Sequence, residues 1–222
     1  MIRTLFPLFA ALAVTVGLRP AFAADPVAGD LRFVPPDAGL FVHLDVAAIH
    51  DSKLGDSLKN SKAADTILGL SDANKLLRAK LGEVKTITFS FPTLQDQTAV
   101  VKSLSVVTYR QKYDREKLIA AIKDQAKRMK GEVVVTANVL KVTVPSPFSP
   151  DNKMTTTYDL TDDTRIVSTH GLGDEYLKPS EATGVHTLAL KANATAPAII
   201  GFNFNALPDE LKKEDLPAEA RP

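Results

Sequence analysis

The chain has 222 residues, 27 Lys and Arg against 26 Asp and Glu, a net charge of +1 and no cysteine. The absence of cysteine excludes disulfides, thiolate metal sites, cysteine nucleophiles and a lipidated N-terminal cysteine. The near-neutral charge argues against a protein that holds nucleic acid by bulk charge, and about 200 residues can build one domain core.

Residues 1–23 read as a secretory signal. Arg3 supplies the positive start, residues 5–18 are uncharged and apolar, and Ala21-Phe22-Ala23 has the small-x-small cleavage pattern. The apolar stretch is shorter than the roughly 18 to 20 residues of a membrane span. No second run approaches that length, so no transmembrane segment is expected in the mature chain. Losing Arg3 and Arg19 with the signal leaves 25 basic and 26 acidic residues, a net charge of −1. The expectation is a soluble protein, periplasmic or secreted.

Residues 24–36 contain Pro and Asp and read as a leader. Residues 40–46 alternate: Leu40, Val42, Leu44 and Val46 fall on one strand face, and Phe41, His43 and Asp45 on the other. Residues 47–82 are rich in Ala, Leu and Lys and predict helices. The clearest covers 71–81, with Ser71 or Asp72 as its N-cap and Gly82 as its stop. Residues 83–91 form a strand in which Lys85 interrupts the Ile87, Phe89, Phe91 face. Residues 92–97 are a loop and 99–109 a long strand.

Asp114 caps a strong helix that carries Leu118, Ile122, Ala126 and Met129 at helical spacing and ends at Gly131. Strands at 132–137 and 139–144 flank Ala137-Asn138, where Asn favours a hairpin turn. Residues 145–151 hold three prolines and form a loop. A second hairpin joins 154–160 to 165–169 across Thr161-Asp162-Asp163-Thr164. A short helix at 174–178 and a final strand at 198–204 follow. The 198–204 edge is also a place where two molecules could associate.

From residue 40 to 137 the order is β-α-β-β-α-β, the split βαβ or ferredoxin-like order, extended by β-hairpins. The fold class is α+β, a mainly antiparallel sheet with helices on one face. The expected organisation is a signal at 1–23, a leader at 24–36, one domain at 37–209 and a disordered tail at 210–222. Sliding the chain by 158 residues sets 38–51 against 196–209. Ala38/Ala196, Ala48/Ala206 and Asp51/Asp209 are identical, and Leu44/Phe202 and Ile49/Leu207 match in kind. Either a second copy of the domain opens near residue 196, or two edge strands share a pattern.

The phrase Phe33-Val-Pro-Pro-Asp-Ala-Gly-Leu-Phe-Val-His-Leu-Asp-Val-Ala, with Arg165-Ile-Val-Ser-Thr after Asp162-Asp163, resembles a group of uncharacterised secreted bacterial proteins of planctomycete type. The resemblance spans about residues 31–210 and rests on structural phrases. It implies fold and export. It implies no activity and supplies no catalytic residue.

The chemistry-bearing residues are few. His43, Asp45, His50 and Asp51 lie within nine positions and are the best metal candidates, although their spacing matches no closed zinc motif. A solvated strand face explains them more simply. Gly171-Leu172-Gly173-Asp174 precedes a helix, but it lacks the third glycine of a dinucleotide fingerprint, and its acids oppose a phosphate. Ser168-Thr169-His170 sets hydroxyls beside an imidazole, but adjacent strand residues point to opposite faces. Asp162-Asp163 fits a turn, and the cations of the 114–130 helix read as a solvated face. The sequence therefore points to an exported binding or scaffolding domain without a cofactor. The alternative is a secreted hydrolase or metal-dependent enzyme using His43, Asp45 and His50.

If the signal reading is right, mass spectrometry of the exported protein will find Ala24 at its N-terminus. A protein that keeps Met1 inside the cell would contradict it.

Overall fold

Strict alternation buries one side of a strand, and apolar residues in both rows bury both. Residues 40–45, 103–109 and 165–170 are strands of the second kind, and 139–145 is of the first. The computed structural model describes residues 29–36, 38–58, 61–92, 102–146, 152–180 and 196–203. The expected signal, the 99–101 start of a strand, most of the Pro-rich loop and the tail lie outside the described residues.

Eight strands form one antiparallel sheet: β1 (Leu40–Asp45), β2 (Val84–Phe91), β3 (Ser103–Tyr109), β4 (Glu132–Thr136), β5 (Val139–Pro145), β6 (Lys153–Asp159), β7 (Arg165–His170) and β8 (Ala198–Phe202). Among the described residues five helices accompany them: α1 (Val46–His50), α2 (Lys53–Leu58), α3 (Lys62–Leu68), α4 (Asp72–Leu77) and α5 (Arg115–Arg128). The fold is α+β. The chain order expected for residues 40 to 137 is present, but the strands are not arranged as a split βαβ. Their spatial order is β4-β5-β6-β7-β3-β2-β1-β8, so β2 lies between β1 and β3 and pairs antiparallel with both. A split βαβ would place β1 beside β3.

Burial agrees with this order. Val84 and Ile87 are sealed on one face of β2, and Thr88 and Ser90 on the other, as suits an interior strand covered by layers on both faces. By contrast, β4 is exposed along almost its whole length and takes an edge. The strand β1 is buried on both faces but is not central. It is next to last, with β8 on its outer side. The apolar 198–202 segment thus joins the sheet, as its composition requires. At Gly201 a side chain would collide with the Phe41 ring, so glycine is needed where β8 crosses that residue.

The α-helices cover the first face. Leu118, Ile122 and Ala126 of α5 meet Leu140, Val142 and Val144 of β5 in the main core, joined by Val46, Ile49, Ala73 and Leu77. The side chain of Asp114 accepts from the Lys117 N–H at 2.9 Å and caps α5. Met129, expected in the core, is 41% exposed, because the helix ends at Arg128 and Met129 is its C-cap. Lys130 takes the left-handed conformation. Gly131 is then pressed against β5, where a Cβ would sit 2.6 Å from the Thr143 carbonyl oxygen.

The second face is also covered. Residues 29–33 form a 3-10 turn, and Leu31, Phe33 and Val34 are buried. The segment read as a leader is therefore packed on the sheet from residue 29. Leu31, Val34, Ala38, Phe41 and Ile199 form one cluster, and Phe33, Leu104, Val106, Val167 and Leu177 another. The second cluster includes a 3-10 turn at Asp174–Leu177, where a short helix was expected.

Local differences have local causes. The expected 71–81 helix stops at Leu77, because Arg78 adopts φ +55° and hands the Ala79 N–H to the Asn74 carbonyl. Gly82 instead lies in a following 3-10 turn. The Lys85 interruption is a bulge: the register shifts between Val84 and Thr86. Val84 turns inward, and Lys85 is left exposed. In the β4–β5 turn the positive φ falls on Ala137, not on Asn138. The Asn138 side chain accepts from Arg115 at 2.7 Å instead.

Ile122 is 2% exposed beneath the helix. Ile122→Ala should lower the unfolding free energy by about 2 to 5 kcal/mol in denaturant titration. A loss below about 0.5 kcal/mol would mean that α5 packs through another face.

Candidate functional site

The sheet separates the four candidate residues. His43 and Asp45 alternate with Val42 and Leu44 along β1, so His43 faces the second sheet face, where it is buried. Its Nδ1 shares a 2.7 Å hydrogen bond with the Thr88 hydroxyl. The Asp45 carboxylate accepts from the Ala48 N–H at 2.8 Å and caps α1. His50 and Asp51 follow at the end of α1, on the side where Val46 and Ile49 enter the main core. His43 and His50 therefore belong to opposite layers. Among the described residues no group of three or more His, Asp or Glu side chains is placed to hold a metal ion.

His50 and Asp51 do meet. His50 Nδ1 donates to Asp51 Oδ1 at 2.9 Å. Arg110, just past the end of β3, donates to both Asp51 oxygens at 2.9 Å and to the Ala47 carbonyl at 3.2 Å. Hydrogen bonds from Arg110 first and His50 second hold the Asp51 carboxyl down at about 2. A side chain at Gly82 would sit 3.1 Å from His50 Nε2, so the ring is backed by the chain. An open cleft of about 440 Å³ adjoins it, bordered by Asp65, Lys80, Leu81, Gly82 and Glu83. Chemically this is a histidine–carboxylate pair. Its carboxylate is saturated by an arginine, and the arginine also ties down the end of α1.

A second open cleft, of about 590 Å³, lies near Phe33, Asp159, Asp162, Asp163, Arg165 and Lys178. Its acids serve turns. Asp162 accepts from the Thr164 N–H and hydroxyl at 2.8 Å, and Asp159 accepts from the Thr161 N–H at 2.9 Å. The Arg165 guanidinium stands 5.3 Å over the Phe33 ring and pairs with Asp162. Asp163 pairs with Lys112. At the Gly171–Asp174 corner, Asp174 pairs with Lys141, and the Glu175 carboxylate lies against Gly173. Both arrangements oppose an incoming phosphate. His170 and Ser168 share the first face, while Thr169 is buried in the second. His170 bonds Thr156 at 2.8 Å.

Asp30 is the polar residue that sequence reading passed over. It is buried, and its carboxylate accepts from the hydroxyl of Thr108 at 2.9 and 2.8 Å and from that of Thr86. Thr86 and Thr108 are cross-strand neighbours on β2 and β3. The signal was the polar row Thr86, Thr88, Ser90 on a strand whose other row is apolar. That pattern usually means water, and here it means a buried acid.

No family model matches the chain, and comparison with curated proteins and with solved structures gives no significant match.

Burial lowers the pKa of His43 below its ordinary 6.5, against the pull of Asp30 and Asp45. It lowers that of His170 as well, against the pull of Asp72. The unfolded chain therefore binds these protons first as pH falls, and stability declines below pH 6.5. The Asp51 contribution is lost only between its ordinary 3.8 and about 2, a separate window. The melting temperature should therefore fall between pH 7.5 and 5, and less steeply in His43→Asn. An equal slope in that variant would show that His43 is accessible to protons in the folded state.

Proposed function

We propose that this protein is an exported domain that binds or scaffolds and does not catalyse, of the secreted bacterial type that its opening phrase resembles. The observation that carries the reading is the employment of the chemistry-bearing side chains. His43 is tied to Thr88, Asp45 caps α1, and Asp51 is saturated by Arg110 and His50. These residues hold elements together. Among the described residues no helix is long and apolar enough to cross a membrane.

The test is turnover of ester, phosphoester, glycoside and peptide probes across pH 5 to 9 by wild type and His50→Gln. The proposal expects the two proteins to be indistinguishable, with the variant melting at a lower temperature. Turnover present in wild type and lost in His50→Gln would overturn it in favour of a hydrolase.

A further inference from the structure

The edge formed by β4 is unlike the rest of the sheet. It reads Glu132-Val-Val-Val-Thr136, and Val134 and Val135 are 58% and 45% exposed. Among the described residues no strand pairs with its outer side. The hydrogen-bond phase of that side follows from its neighbours. The Leu160 N–H donates to the Asn138 carbonyl, so Leu140, Val142 and Val144 bond β6. Val139, Lys141 and Thr143 then bond β4 through Thr136, Val134 and Glu132. The N–H and C=O groups of Val133 and Val135 are thus left facing outward.

A basic row runs above this edge. Lys117 of α5 reaches the Leu77 carbonyl of α4, which fixes the inner flank of the helix. Arg115 reaches the β4–β5 turn at Ala137 and Asn138, which fixes the outer flank. Ile119 and Lys123 follow Arg115 at four-residue steps on that outer flank, and Lys127, a further step on, turns toward solvent above it. Lys123 and Lys127 are exposed, and Lys130 extends the charge beyond the end of the helix.

We infer that β4 receives an added strand from a partner protein, an extended segment in which acidic and apolar residues alternate. The inference rests on the binding role proposed above. An antiparallel or parallel newcomer would bond Val133 and Val135 through its backbone. Its side chains on the helix face would lie beside Val135 and within reach of the outer flank of the helix, where Lys123 and Lys127 select carboxylates. Those on the other face would lie beside Val134, which selects apolar groups. A second copy of this chain fits less well. Pairing β4 with its own twin would oppose the two lysine rows across one continuous sheet. Lysines on an edge strand often serve only to repel neighbours. Here they stand on the helix, and the strand itself is three valines long with one acid.

The probe is a short fluorescein-labelled peptide of alternating glutamate and valine, with a lysine–valine peptide as control, read by fluorescence anisotropy on the full mature chain. Wild type should bind the acidic peptide and not the basic one. Binding should weaken about tenfold in Lys123→Glu/Lys127→Glu and fall with added salt. Val135→Pro removes an outward N–H and no bond to β5, so it should melt near wild type and lose the peptide. If that variant fails to fold, the same peptide N-methylated at alternate residues supplies the test, and it should not bind wild type. Three results would overturn the proposal: no binding by wild type, binding unaffected by Val135→Pro or N-methylation, or a concentration-dependent dimer that Val135→Pro abolishes. Loss of the edge in this way leaves the binding role standing. Only His50-dependent turnover removes that role.

Discussion

The Asp30 carboxylate is buried against β2 and β3, where Thr86 and Thr108 present their hydroxyls side by side. A buried carboxylate is expensive unless donors meet it. The two threonines meet it only if β2 and β3 are neighbours in the register observed. The same contact anchors the 29–33 turn, which brings Leu31 and Phe33 down onto the second face. One polar group thus fixes a strand pairing and the covering of a sheet face together.

The rest of the architecture follows from having both faces closed. The first is filled by the helices and the second by residues 29–36, 38 and 174–177. Of the polar groups trapped between layers, His43 is met by Thr88 and Asp30 by Thr86 and Thr108. The β4 border is left open: Val134 and Val135 are exposed there, and among the described residues no strand pairs with its outer side. On the opposite side, β8 closes over β1, and Phe41 occupies the space beside Gly201. The two borders are therefore built differently.

Much of the fold was legible in the sequence because apolar alternation and capping are local signals. Asp114 marks the start of α5, and the two faces of β1 are those its alternation implies. Strand neighbours were not legible. The β-α-β-β-α-β string is compatible with more than one sheet order, and only the long-range backbone pairing of β2 with both β1 and β3 distinguishes them. Lys85 looked like a flaw in a pattern because a bulge is invisible without its partner strand. Of the candidate site, His50 and Asp51 meet as adjacent residues can. Arg110, fifty-nine positions from Asp51, carried no sign of its role. Asp30 was hidden because it lay in a segment whose prolines suggested an open leader.

The most direct measurement of the central claim is the unfolding free energy of Thr86→Val/Thr108→Val. Both substitutions keep shape and strand propensity and remove the donors from Asp30. The account predicts a loss of about 3 kcal/mol or more, from two hydrogen bonds to a buried carboxylate. Faster amide hydrogen exchange in residues 29–36 should accompany that loss. A variant as stable as wild type, with residues 29–36 equally protected, would contradict it.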